Sequence, residues 1–237
     1  MKTTTLLPLL AGSLLLTATA HAQVTCSFGP RLGLSASTAR FTYVETSTHV
    51  GFEAGLTGNL QLGHFAVQPS LLFSQKGYRA HGSLVSFDTP VTYEETVRLN
   101  YLTLPLNVAY TLGKAGQGLQ VFAGPYLGLL VGGNYQRQVH AQGYLGGPAY
   151  DSEYSGQIEP GDVFSYPANR YSQRLDAGLQ AGVGYRLQSW QVQAGYSLGL
   201  RNLASSFESY DGTRYREAAN YNRSFQLSLS YLVGAKG

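Results

Sequence analysis

The residues best suited to acid–base or metal chemistry are four scattered histidines, His49, His64, His81 and His140. They stand singly, without the H-x3-H or HExxH spacing that sets two ligands on one face. Three of them fall in stretches that read as exposed loops. Ser83, Ser86 and Asp88 lie near His81, and a Ser–His–Asp site is recognised by geometry rather than by chain position. No nucleophile elbow or other local signature accompanies them. The run DSEYSGQIEPGD (151–162) supplies Asp151, Glu153, Glu159 and Asp162. Calcium takes roughly 6–8 oxygens, and an EF-type loop places them at fixed positions ending in Glu. That spacing is absent, so the run reads as a solvated outer loop. A single cysteine, Cys26, excludes a disulfide framework and a Cys-based metal centre. The expectation is a non-enzymatic chain with no cofactor and no metal.

A second set of chemistry-bearing residues carries charge: Arg31, Glu53, Lys76, Asp176, Arg186 and Arg201. Each sits among small and polar residues, at every second position of a segment whose other positions are apolar. Such a set makes a selectivity lining, a proton path, or a network of ion pairs plugging a narrow interior. Buried charges are tolerated only when paired and hydrogen-bonded. We therefore read the six as a structural lumen salt-bridge network.

The elements that position them are strands. Leu175, Ala177, Leu179, Ala181, Val183, Tyr185 and Leu187 alternate with Asp176, Gly178, Gln180, Gly182, Gly184 and Arg186. After a short turn, Trp190, Val192, Ala194, Tyr196, Leu198 and Leu200 alternate with Gln191, Gln193, Gly195, Ser197, Gly199 and Arg201. Period 2 is the strand repeat. One face is continuously apolar, and the other is too small and polar to be a sandwich core. That combination marks a transmembrane β-barrel, with lipid outside and a polar interior.

Eight segments carry the pattern: about 31–41, 50–62, 65–78, 97–112, 119–135, 174–187, 190–201 and 222–233. Each exceeds the roughly 9–11 residues a tilted strand needs to cross. Tight connections fall near Gly63-His64, at 113–118 and at Gln188-Ser189. Long ones run about 42–49, 79–96, 137–173 and 203–221. The fold class is all-β: an eight-stranded antiparallel up-and-down barrel with short periplasmic turns, long outer loops and both termini periplasmic. An interior of eight strands is just wide enough for side chains to fill, which favours the plug. Pro69, Pro105 and Pro125 fall inside strands although proline cannot donate to a ladder, and bulges near the rim would accommodate them.

Composition agrees. The 237 residues contain 29 Gly and 18 Tyr against one Met and one Trp. Glycine thins a crowded inner wall, and tyrosine anchors at the membrane–water interface. Mean hydropathy just below zero is what a barrel gives when inward residues dilute outward ones. A formal charge of +3 without a basic patch argues against nucleic acid. Lys2, the apolar stretch 6–16 and Ala20-His21-Ala22 read as a signal peptide over 1–22, cleaved before Gln23. A short lead-in over 23–30, the barrel over 31–233 and a tail over 234–237 would follow. Gln23-Val24-Thr25 lacks the residues expected before a lipidated cysteine, so Cys26 reads as unmodified.

The runs GFEAGLTGNLQLGHFAVQPSLLFSQKGY (51–78), LNYLTLPLNVAY (99–110) and FAGPYLGLL (122–130) resemble the PorT-like outer-membrane β-barrel family of Bacteroidetes. DAGLQAGVGY (176–185) and NRSFQLSLSYL (222–232) fit the same pattern. The resemblance covers nearly all of the chain after its leader. It implies an eight-stranded outer-membrane barrel, brings no catalytic motif, and points to type IX secretion and gliding through the family's founding member.

The leading expectation is a structural barrel or an interaction platform, acting through its outer loops. Its partners would be outer-membrane lipid and other envelope or secretion proteins, and the barrel itself would be monomeric. Tyr144, Tyr150, Tyr154, Phe164 and Tyr166 in the third loop are the candidate interaction surface, since tyrosine gives large amphipathic contact at low entropic cost. A secretion-machinery component, a passive small-solute channel and a lipid-modifying barrel enzyme are the alternatives.

Overall fold

The computed structural model describes residues 24–41, 46–86, 89–113, 116–143, 147–161, 163–165, 170–209, 211–216 and 219–234. The expected leader over 1–22, and Asp88, Tyr144, Asp162 and Tyr166 with it, lie outside the described residues. The strands are β1 (Thr25–Arg40), β2 (Thr46–Leu62), β3 (Phe65–Ser86), β4 (Thr89–Thr111), β5 (Gly118–Ala141), β6 (Tyr150–Pro160) and β7 (Val163–Ser165). There follow β8 (Arg170–Ser172), β9 (Leu175–Leu187), β10 (Trp190–Gly199), β11 (Ser206–Glu208), β12 (Arg214–Arg216), β13 (Tyr221–Tyr231) and β14 (Val233–Gly234).

Eight of these close a ring in the order β1-β2-β3-β4-β5-β9-β10-β13 and back to β1. Every neighbouring pair is antiparallel. The expected eight-stranded all-β ring is present, and closure leaves the wall no free edge. β1 begins at Thr25, pairing Gln61, so most of the stretch read as a lead-in is wall.

The alternation settles on the faces the sequence assigns. Leu32, Leu34, Phe225 and Leu227 are 63, 60, 66 and 56% exposed, values that in water would form an adhesive surface and in a bilayer make lipid contact. Ser35, Glu53, Gln68, Gln180, Gln193 and Ser228 point inward and are buried. At the short-turn end, aromatic residues ring the outer surface. Phe65 stacks edge-on with Tyr110 at 5.1 Å and Trp190 with Tyr231 at 4.8 Å, a girdle of the kind found at membrane interfaces.

Two expectations about the chain path are corrected. First, the prolines need no bulges. The register is constant past Pro69, Pro105 and Pro125; Pro69 faces Leu106, Pro105 faces Tyr126 and Pro125 faces Leu179. Each instead interrupts one ladder beside it, because its nitrogen carries no proton. The β2–β3 pairing lapses beside Pro69, β3–β4 beside Pro105 and β4–β5 beside Pro125. The register shifts fall elsewhere, between Thr48 and Glu53 of β2 and between Asn100 and Tyr101 of β4.

Second, much of what reads as long loop is strand. β3, β4 and β5 run for 22, 23 and 24 residues, about twice what crossing requires. Beyond the wall they continue as a sheet with β6, which pairs β5 from Gly133↔Ile158 to Ala141↔Tyr150. At the β4–β5 shift Tyr101 faces Leu130 and Asn100 faces Gly132, leaving Val131 unopposed. Gly132, at φ 151°, takes a conformation that L side chains avoid. The extra residue reverses the parity of β5, so odd positions such as Tyr135 and Arg137 turn inward. This reversal hides the strand from a period-2 reading. β8 pairs β6 in parallel, and β7, β11 and β12 form a separate three-stranded sheet.

Candidate functional site

The chemistry gathers in the lumen. Arg31 on β1 points inward, and its guanidinium donates from Nε and Nη2 to Oε1 of Glu53 on β2, at 3.1 and 2.9 Å. Its third nitrogen donates to Oε1 of Gln193 on β10 at 3.0 Å. From there amides carry a hydrogen-bonded chain toward the short turns. Gln193 donates to Gln68 at 2.9 Å, and Gln68 donates to Asn59 at 2.9 Å and to Gln120 at 3.4 Å. Gln120 donates to Thr111 at 3.1 Å, while Asn59 donates to Gln61 and Gln61 to the carbonyl of Gly63. An amide offers both a donor and an acceptor, so side-chain amides from four strands cross the lumen without leaving a bare charge.

Nearer the extended end, Nζ of Lys76 on β3 lies 3.0 Å from Oδ2 of Asp176 on β9. The carboxylate, fully buried, also accepts from the Tyr126 hydroxyl at 3.3 Å and from Nδ2 of Asn222 at 3.0 Å. The ammonium sits 4.5 Å from the centre of the Tyr126 ring and 5.4 Å from that of Tyr101, where the ring faces attract it. Buried ions are tolerated when their remaining bonds are made in this way. Between the two ion pairs, the space bounded by Arg31, Glu53, Lys76, Tyr126 and Gln180 amounts to ≈ 10 Å³, about the room one water needs.

An apolar layer covers the Lys76–Asp176 pair. Val97, Leu99, Tyr101, Leu130 and Ile158 are buried together, with Tyr78 and Tyr135 against them. The segment after β10 folds over the same mouth: Leu203 is buried, its N–H donates to the carbonyl of Asn220, and its carbonyl accepts from the Ser172 hydroxyl and the Gln173 N–H. Toward the short turns Phe122 packs with Ala66 and Ala109 and presses its ring against Gly182 and Gly195.

Four of the six expected lumen charges therefore form two ion pairs. Arg186 lies at the short-turn end, half-buried, donating to the Ser27 hydroxyl and the Gln188 carbonyl. Arg201 is a correction: β10 ends at Gly199, and the exposed Arg201 stands outside the wall, held through its backbone N–H to Ala177. A third ion pair, half-buried, was not read from sequence. Arg137 on β5 meets Glu95 on β4 at 2.5 Å and lies over the Tyr93 ring, facing inward only because Gly132 reversed the strand.

The histidines stay scattered, and the three outside the tight turn lie in strands rather than loops. His49 is buried in β2 with neither ring nitrogen hydrogen-bonded. His81 lies in β3, and His140 lies in β5, where Nδ1 pairs with the carboxylate of Asp151. His64 occupies the turn and bonds the Thr111 carbonyl. The acidic run is β6 rather than a solvated loop. Glu153 accepts from Gln136, and no group of three acidic, histidine or cysteine residues with metal-site geometry occurs among the described residues. Of the expected interaction surface, Tyr150 and Tyr154 project from β6, 60 and 55% exposed, and Phe164 lies in β7.

A closed ring with an apolar outside and a hydrogen-bonded polar inside defines the class as a membrane-spanning β-barrel. The chain belongs to the outer membrane protein beta-barrel domain family, whose model matches residues 21–205, and its place is the outer membrane. Neisserial surface protein A is similar at 13% identity over 86% of this chain and 97% of that one, with TM-score 0.32. The N-terminal β-barrel domain of Pseudomonas aeruginosa OprF is 14% identical over 85 and 97%, with TM-score 0.25. A TodX deletion mutant, a monoaromatic hydrocarbon channel, is 8% identical over 89 and 91%, with TM-score 0.27. Comparison with curated proteins found no match to the chain.

Proposed function

We propose that this protein is a non-enzymatic, non-conducting barrel that anchors an interaction platform in the outer membrane. The observation that carries the reading is the plug across the lumen, where two buried ion pairs and a glutamine ladder span the interior and the gap between the pairs is ≈ 10 Å³. That plug argues against a passive channel for solutes. Reconstituted in planar bilayers, the protein should give no stable conductance steps; nanosiemens steps from a verified monomer would overturn the reading.

The platform is the sheet that β3 to β6 raise beyond the bilayer. β6 pairs β5 along its length but meets β8 only at 158–160, leaving the edge from Tyr150 to Gln157 without a strand partner among the described residues. A free edge beside exposed Tyr150 and Tyr154 suits strand addition by another envelope protein. We place this sheet outside the cell and the short turns and both termini in the periplasm, after the usual barrel arrangement. The PorT-like resemblance favours a partner from a secretion machine. Replacing residues 147–157 with a short Gly/Ser linker should preserve folding, because Ile158 and the wall remain. It should abolish recovery of whichever envelope protein co-purifies with the intact chain; unchanged recovery would refute the platform.

A further inference from the structure

The lipid face is not uniform. Across β9, β10, β13 and β1 the row Ala181, Tyr196, Phe225, Ala36 runs above the row Val183, Ala194, Leu227, Leu34. The alanines, backed by Gly182 and Gly195, leave a depression of ≈ 630 Å³ flanked by larger apolar residues. Tyr196 and Phe225 close one side of it, their rings 4.7 Å apart. The volume falls within the roughly 300–1,000 Å³ of small-molecule sites, yet it opens sideways into the bilayer.

Two residues further along each strand, roughly 7 Å toward the extended end, the surface changes character. Arg223 lies there between Leu198 and Thr38, and Arg40, which pairs with Tyr221, follows two residues beyond Thr38. Both arginines line a second hollow of ≈ 520 Å³ with Phe41, Leu198 and Tyr221. Nε of Arg223 is buried and has no hydrogen-bond partner. Neither arginine joins an ion pair among the described residues, whereas Arg31 and Arg137 each hold a carboxylate. A guanidinium at the edge of an apolar belt is stabilised by an anion, and its fork of donors matches phosphate oxygens.

We propose that this face binds one membrane lipid with an anionic phosphate headgroup, from the leaflet at the extended end. An acyl chain lies in the alanine groove under Tyr196 and Phe225, and the phosphate sits between Arg223 and Arg40. Charge complementarity selects such a lipid, because the groove alone would take any acyl chain and only the arginines distinguish its headgroup. Its apolar and ionic halves adjoin on the same strands.

Native mass spectrometry of the detergent-purified protein tests this, using phosphatidylglycerol, an uncharged diacyl glycolipid and inorganic phosphate as separate probes. Wild type should retain one phosphatidylglycerol at least tenfold better than the glycolipid, and should hold no phosphate alone. Arg40→Gln with Arg223→Gln should erase that preference. Ala194→Leu should weaken retention of both lipids by filling the groove. Equal retention of the two lipids by wild type overturns the proposal whether or not the variants fold. So does a preference that survives the double substitution in barrels of normal heat-modifiable gel mobility.

Discussion

Lys76 and Asp176 stand a hundred positions apart in the chain and 3.0 Å apart in the lumen, so the pair forms only when β3 and β9 face each other across a closed ring. Removing the acid would leave a buried ammonium with ring faces and no counter-ion. Asp176→Ala should therefore cost about 3–5 kcal/mol, read as a lower urea midpoint for unfolding in lipid vesicles. Lys76→Met combined with Asp176→Leu should recover most of that loss, because removing both charges also removes their desolvation. A double variant as unstable as the single one would show that the ion pair itself contributes the stability.

The two arginines at opposite ends of the expected network should behave oppositely. Arg31 is buried against Glu53 and Gln193, so Arg31→Ala should cost about 3–5 kcal/mol by stranding the carboxylate. The exposed Arg201 lies beyond β10, and Arg201→Ala should stay within about 0.5 kcal/mol of wild type. A large loss from the second substitution would return Arg201 to the lumen.

On β13, Leu227 faces lipid opposite Leu34 and Ala194. Leu227→Arg should cost about 2–4 kcal/mol, the range for a charge on the lipid face near the midplane, visible as slower folding into vesicles and an altered heat-modifiable band. Its neighbour Ser228 points inward with a buried hydroxyl that bonds nothing. Ser228→Ala should be neutral or stabilising by up to about 1 kcal/mol. The opposite ranking would invert the parity of this strand.

Gly182 and Gly195 both lie against the ring of Phe122, yet they should not tolerate alanine equally. A Cβ on Gly182 would come 2.2 Å from the Ala194 carbonyl oxygen, whereas one on Gly195 meets the Phe122 ring edge at 3.1 Å. Backbone in a paired strand cannot move aside as a ring edge can. Gly182→Ala should cost about 1–3 kcal/mol, the usual range for overpacking, and Gly195→Ala less. Equal unfolding midpoints for the two variants would remove the distinction.

The sequence alone determined the wall. Alternation along 174–201 and 222–233 fixes which side chains meet lipid, because a strand can bury only every second residue. Leu227 faces out and Ser228 in for that reason, and the tight turn at Gln188-Ser189 follows from the break between two alternating runs. Parity also marked Arg31, Glu53, Lys76 and Asp176 as interior, but it carries no information about which of them meet. Pairing Arg31 with Glu53, and Lys76 with Asp176, depends on ring closure and on the stagger between strands. Both are properties of the whole sheet. The sheet beyond the bilayer was illegible for a related reason. There no face meets lipid and the inward face carries polar residues such as Glu95 and Arg137, so no clean apolar alternation is imposed, and the Gly132 bulge reverses what parity remains. Only the tertiary structure turned Arg137 toward Glu95 and made β6 a strand, because those contacts depend on long-range pairing and leave no local period.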